Sequence, residues 1–212
     1  MPFTDDLRSA SHDAWERAAG HRFTTALMAG TLPGAVMARY LVQDHRFLDG
    51  FLGLLGAAMA TTDRLPSRLQ LGRFVGVVAG EENTYFERAF AALGVTEARR
   101  ATEPDGPATA GFKAIMAEAA AARSYPAALS VLCVAEWLYL DWARRAPDPL
   151  PPGFIHAEWV TLHDNPDFRD LVAFLRAELD RTGPGEAARC QDLFRRAVEL
   201  EGAFFDDAFA CP

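Results

Sequence analysis

The apolar residues of this chain recur three and four positions apart along nearly its whole length. No run alternates apolar and polar residues for long enough to form a strand. Such spacing is typical of amphipathic helices, and the sequence therefore predicts an all-α fold. The predicted helices cover about residues 4–19, 21–28, 31–61, 65–93, 108–122, 125–145, 154–162, 165–181 and 186–208.

The positions of glycine, proline and charged residues predict where these helices end. The pair Glu81 and Glu82 interrupts the apolar pattern of the helix that contains it. Residues 96–109 have little apolar periodicity and are predicted to form a surface connection. The segment 146–153 is rich in proline and predicts an extended linker. This linker is too short to separate two units, so we expect one helical domain over residues 1–212.

Three predicted helices carry a carboxylate inside an apolar face, at Asp44, Glu136 and Glu201. Asp44, for example, shares its stripe with the aromatic residues Tyr40 and Phe47. Burying an ionised carboxylate costs roughly several kcal/mol unless a partner compensates it. Three such acids predict a polar pocket that binds and transforms a ligand, and the aromatic neighbours of Asp44 suit a flat heteroaromatic one.

Each of these observations has a structural alternative. A single inward acid can pair with an arginine or cap a helix, and Cys133, which shares a stripe with Glu136 and Tyr139, is either a nucleophile or a small buried hydrophobe. We favour the buried hydrophobe, because no basic residue lies near Cys133 in the sequence. Glu81 and Glu82 are pocket acids, metal ligands or an exposed edge, and we expect at least one to be exposed.

Composition and motifs exclude several classes of function. The net charge of −8 and the scattered arginines argue against a nucleic-acid partner. No secretory signal is present and no apolar run approaches the roughly 18 residues of a membrane span, so we expect a soluble cytoplasmic protein without a membrane partner. The chain has no Glu-x-x-His and no closely spaced histidine pair, and we expect neither a metal nor a cofactor.

Three segments resemble one known family. Residues 40–48 (YLVQDHRFL), the helix around 133–142, and residues 200–208 (LEGAFFDDA) are similar, in this order, to motifs of the TenA family, also called thiaminase II. The resemblance implies a haem-oxygenase-like helical bundle, a small pyrimidine substrate, and assembly into a homodimer or homotetramer.

The resemblance also implies roles for individual residues. Asp44 would hold the amino group and ring nitrogen of an aminopyrimidine, and Glu201 would protonate the ring or donate a hydrogen bond to it. Phe47 replaces a tyrosine of the family motif, which preserves stacking but removes a hydroxyl. The full set of residues predicted to contact the substrate is Asp44, Tyr40, Phe47, Tyr139 and Glu82.

The third role concerns the reacting group. Family members of one branch have a cysteine two residues before a Trp and four before a Tyr, and with Trp137 and Tyr139 as anchors this position is Ala135. A second branch uses a glutamate, and residues 129–142 fit its pattern closely, with Glu136 as the acid. We therefore predict that Glu136, Glu201 and Asp44 are catalytic.

The resemblance implies the activity of a hydrolase that acts on C–N bonds. Such an enzyme would release pyrimidines from thiamine degradation products for salvage, by acid/base chemistry of its carboxylates. Two alternatives remain open at this stage: a non-catalytic helical protein that binds a small ligand, and an oxidase or oxygenase with the same fold.

Overall fold

A computed structural model describes residues 2–210, and every regular element among them is helical. The all-α prediction is therefore confirmed. The helices are α1 (Phe3–Ala10), α2 (His12–Ala19), α3 (Arg22–Met28), α4 (Gly34–Thr61), α5 (Leu65–Val77), α6 (Asn83–Leu93), α7 (Glu97–Thr102), α8 (Pro107–Ala121), α9 (Tyr125–Ala143), α10 (Phe154–His163), α11 (Pro166–Thr182) and α12 (Ala187–Asp207). A π-helical turn (Val78–Glu82) joins α5 to α6, and a 3-10 turn (Gly183–Glu186) precedes α12.

Helix α9 lies at the centre of the bundle. Every one of its residues except Asp141 is buried, as expected for a helix that is apolar all round. Helices α2, α4, α8, α10, α11 and α12 pack against it. Any buried side chain on α9 therefore faces another helix or an interior space, and Glu136 is the buried one of its two acids.

Two predicted elements differ from the structure. The predicted helix 4–19 is divided at Ser11, because α1 packs on α11 while α2 packs mainly on α12 and α9. The predicted connection 96–109 contains α7, which Thr96 caps by accepting a hydrogen bond from the Arg99 N–H at 3.2 Å. This helix has no buried residue, and its sequence therefore shows no apolar periodicity from which a helix could be predicted.

The other predicted interruptions are observed. The helix predicted at 65–93 is broken at the Val78–Glu82 turn, which contains the acidic pair, and α6 ends at Gly94 in the left-handed conformation. Residues 144–153 form no helix. None of the helices within the described residues is long and apolar enough to cross a membrane.

Candidate active site

A cavity lies inside the bundle between α4, the π-helical turn, α8, α9, α10 and α12. It contains about 470 Å³ of empty space, counting its opening to solvent. Four of its lining residues are acids, and most of the others are aromatic. The lining comprises Asp44, Phe47, Leu48, Phe51, Glu82, Phe112, Ala135, Glu136, Tyr139, Trp159, His163, Glu201 and Phe204. The three acids found within apolar faces of the sequence thus meet in one space, together with Glu82.

Helix α4 contributes Asp44 and the apolar side chains one and two turns beyond it. Its orientation is fixed by Gln43, which is buried beside Asp44. The Gln43 amide oxygen accepts hydrogen bonds from the Gly106 N–H and the Thr109 hydroxyl, both at 2.8 Å, and its amide nitrogen donates to the Pro104 carbonyl at 3.0 Å. These bonds tie α4 to the start of α8 and hold Asp44 toward the cavity.

The four cavity acids have no basic partner. No arginine or lysine lines the cavity, and within residues 2–210 no ion pair reaches Asp44, Glu82, Glu136 or Glu201. Burial raises the pKa of Asp44, Glu136 and Glu201 well above the ordinary range, and the neighbouring carboxylates raise each pKa further. The Tyr40 side chain partly offsets this effect at Asp44. The protonated form of these three acids, which can donate a hydrogen bond, is therefore favoured over its ordinary share.

Glu82 differs from the other three acids. Its side chain is only partly buried, and burial raises its pKa to about 7. The adjacent Glu81 is exposed, which agrees with the expectation that at least one of this pair would be. Glu82 is thus the cavity acid that changes its charge near neutral pH.

The two tyrosines of the predicted contact set have different positions. Tyr139 lines the cavity, whereas Tyr40 lies behind it, with the two hydroxyl oxygens 2.7 Å apart. The Tyr40 ring packs on Phe23 at 4.4 Å between ring centroids and on Phe205. Tyr40 is therefore not a wall residue of its own, but it acts on the cavity through Tyr139 and through its effect on the pKa of Asp44.

His163 and Trp159 belong to the wall but were absent from the predicted site. The His163 Nδ1–H donates to the Trp159 carbonyl oxygen at 2.8 Å, and burial lowers the histidine pKa to about 4. The ring is therefore neutral at pH 7, and Nε2 carries a free acceptor lone pair. Phe112, Phe204 and Ala135 also line the cavity. The one sequence feature that could have indicated His163 as a site residue was its position at the end of the helix that contains Trp159.

Cys133 is fully buried and does not line the cavity. Burial raises the pKa of its thiol to about 12, so the thiol stays protonated. This position fits the small buried hydrophobe favoured from the sequence. Ala135, which occupies the cysteine position of the first TenA branch, does line the cavity, next to Glu136. Cys190 is likewise free and buried, and Cys211 lies outside the described residues.

The geometry suits a flat, nitrogen-containing ring. The aromatic side chains of Phe47, Phe112, Trp159 and Phe204 offer faces and edges for stacking, while a carboxyl accepts hydrogen bonds and, in its protonated form, donates one. The fold and this site together define a helical bundle with an acid-lined cavity for a small molecule.

Comparison with known proteins identifies the family. Residues 8–211 match the TENA/THI-4/PQQC family. The chain belongs to this family, and the resemblance to TenA found in its motifs is confirmed.

The relatives include two proteins named aminopyrimidine aminohydrolase. The one from Bacillus subtilis (strain 168) is 27% identical over 179 residues, which are 81% of this chain and 73% of that protein. The one from Halalkalibacterium halodurans is 22% identical over an alignment of 218 positions, which covers 99% of this chain and 96% of that protein. A solved structure, the TenA homologue protein from P. horikoshii OT3, matches with a TM-score of 0.85 at 22% identity over 99% of each chain. The expected bundle fold is therefore confirmed.

Proposed function

We propose that this protein is an aminopyrimidine aminohydrolase of the thiaminase II type, acting on pyrimidine products of thiamine degradation. One observation carries the proposal: four carboxyls without basic partners converge on a cavity with aromatic walls. Two relatives named for this activity support it.

The reaction is a hydrolysis at the exocyclic carbon of an aminomethyl-pyrimidine. The oxygen of water forms a bond to this carbon, the C–N bond breaks, and the amine leaves as ammonia. The proton removed from water is taken up by a carboxylate of the site and passed to the departing nitrogen, which therefore leaves as ammonia. The products are a hydroxymethyl-pyrimidine and ammonia, so the atoms and charges balance without an added reagent.

Asp44 has the hydrogen-bonding capacity that an aminopyrimidine edge requires. A neutral carboxyl offers one donor and one acceptor. The acceptor oxygen can receive the amino N–H of the ring, while the O–H donates to the adjacent ring nitrogen. The raised pKa of Asp44 supports this role, because an ionised carboxylate would lack the donor.

Glu201 and Glu136 divide the acid and base work in this proposal. A neutral Glu201 donates its proton to a ring nitrogen, which withdraws electrons from the exocyclic carbon. Glu136, once ionised, deprotonates the attacking water or attacks the carbon directly, and its raised pKa makes it a stronger base than an ordinary carboxylate. Glu136 on the cavity wall beside Ala135, with Cys133 buried away from it, supports the branch that uses glutamate in place of cysteine.

The test is product release from aminomethyl-pyrimidine, followed as ammonia and hydroxymethyl-pyrimidine. We expect turnover by the wild type, and a loss of about 100-fold or more in kcat/KM for Asp44→Ala, because polar groups of the ring edge lose their partners. Glu199→Gln is the matched control for Glu201→Gln, since Glu199 lies two residues before Glu201 on the same helix, is exposed and pairs with Arg195. An inactive wild type, or full activity in Asp44→Ala, would refute the proposal.

We further propose that the protein works in the cytoplasm as a homodimer or homotetramer. The family resemblance supports this assembly, as do Leu65 and Leu69 on α5, which are 63% and 52% exposed. Light scattering of the purified protein measures the assembly directly, and a monomer at micromolar concentration would contradict it.

A further inference from the structure

The cavity is unusual in the sign of its charges. Its lining contains four carboxyls, and burial lowers the pKa of the histidine to about 4, which keeps the ring neutral at pH 7. No lysine or arginine of residues 2–210 belongs to it. Any charge that appears on this wall at neutral pH is therefore negative, and its complement is a cation.

Glu82 is the group on which such a charge can reside. It ends the π-helical turn between α5 and α6, a feature that is often associated with functional sites. The turn directs Glu82 to the cavity, whereas Glu81 remains exposed. Glu82 is also the least buried of the four acids, so its ionised form is the best hydrated.

The titratable groups around Glu82 favour a single charge. Asp44 on α4, Glu136 on α9 and Glu201 on α12 line the same cavity, as does the neutral His163 on α10. Glu82 raises the pKa of Asp44 and of Glu136, so ionisation of Glu82 makes it harder for either to ionise. Burial raises the pKa of Glu82 to about 7, whereas burial and neighbouring carboxyls together raise the pKa of the other three well above the ordinary range.

We infer that Glu82 determines specificity by pairing with a positively charged amino group of the substrate. The site then selects a pyrimidine bearing an ammonium group over one bearing a neutral amide at the same carbon. The inference rests on the proposed function, because it assigns the aminomethyl group of that substrate to Glu82.

The experiment compares two substrates that differ in charge. Aminomethyl-pyrimidine is the cation, and formylaminomethyl-pyrimidine is the neutral amide. For Glu82→Gln we expect the ratio of the two kcat/KM values to fall by about 30-fold, since one partner of a buried ion pair is removed. Glu82→Asp should retain most of the ratio. Glu81→Gln, the matched neighbour on the same turn, should leave it unchanged. An equal fall for both substrates, or an unchanged ratio in Glu82→Gln, would overturn the inference.

The pH dependence provides a second readout. In the wild type the preference for the ammonium substrate should grow as pH rises through about 7, where the Glu82 carboxyl becomes charged. In Glu82→Gln this rise should be absent, and a rise that persists there counts against the inference.

Binding separates this inference from the proposed function. If the wild type hydrolyses neither compound, the proposed function fails, and calorimetry with aminomethyl- and hydroxymethyl-pyrimidine still tests Glu82. Tighter binding of the cation by wild type, lost in Glu82→Gln, supports the inference. Equal affinity for both ligands in the wild type overturns it.

Discussion

Two buried glutamates of this protein have the same side chain and nearly the same exposure but opposite acidities. Glu178 on α11 is 7% exposed and Glu136 on α9 is 8% exposed. Burial acts to raise both pKa values. At Glu178, however, the pKa is held below its ordinary range by hydrogen bonds from Arg181, Ser67 and Tyr125, whereas the pKa of Glu136 rises well above it. The partners, and not the degree of burial, decide which acid is charged.

The comparison distinguishes a structural acid from one available for chemistry. The Glu178 carboxylate accepts hydrogen bonds from Ser67 at 2.7 Å and Tyr125 at 3.0 Å, and both guanidinium contacts from Arg181 are 3.0 Å or shorter. These bonds link α5, α9 and α11. Glu136 has no such partners, so its hydrogen-bonding capacity remains available to a ligand.

The largest expected effect is on catalysis. Glu136→Gln should lower kcat by about 10³-fold, because the amide cannot act as a base, while the free energy of unfolding stays the same or increases. Steady-state kinetics and urea unfolding measure the two quantities. Cys133→Ala is the control and should retain kcat within about threefold, because the thiol does not line the cavity. A strong loss in Cys133→Ala with full activity in Glu136→Gln would reverse the assignment.

The second effect is on stability. Glu178→Ala should lower the free energy of unfolding by about 3 kcal/mol, because it leaves Ser67, Tyr125 and Arg181 without their shared acceptor. The catalytic rate of the folded variant should be nearly unchanged. Glu118→Ala, which removes an exposed partner of Arg196, is the matched control and should cost under about 1 kcal/mol. Equal losses of unfolding free energy in the two variants would show that the hydrogen bonds of Glu178 stabilise the fold no more than an exposed ion pair does.

The smallest effect is a pH dependence of stability. The pKa of Glu82 is about 7 in the folded protein and 4.5 in the unfolded chain. Its contribution to the free energy of unfolding is therefore fully present below pH 4.5 and is lost as pH rises through 7. His163, with a pKa lowered to about 4, acts in the opposite direction below pH 6.5. The quantity to measure is therefore the difference in the free energy of unfolding between Glu82→Gln and the wild type. Both proteins contain His163, so its effect cancels in this difference.

That difference should change by about 2 kcal/mol in favour of Glu82→Gln between pH 5 and pH 8. Urea unfolding at the two pH values measures it. A constant difference would mean that Glu82 does not carry a raised pKa in the folded protein.

The sequence was sufficient for most of the helices and for the acids that share an apolar stripe, because helical periodicity is local, but it missed α7 and joined α1 to α2. Asp44, Glu136 and Glu201 were found in this way. His163, Trp159 and Phe112 were not, since their place in the wall depends on how distant helices pack. Periodicity also could not choose between Glu81 and Glu82, because the π-helical turn shifts the spacing just where these residues occur.

The π-helical turn also sets the rotational phase of α6 relative to α5. It holds one more residue than an α-helical turn, and each helical residue advances the chain by about 100° around the axis. Beyond the turn, Tyr85 and Phe86 pack against Trp159 in the cavity wall. Deleting one residue would let the helix run on without a break, but it would turn these aromatic faces away from α10. The length of this turn therefore determines both the position of the Glu82 carboxyl and the packing of Tyr85 and Phe86 against Trp159.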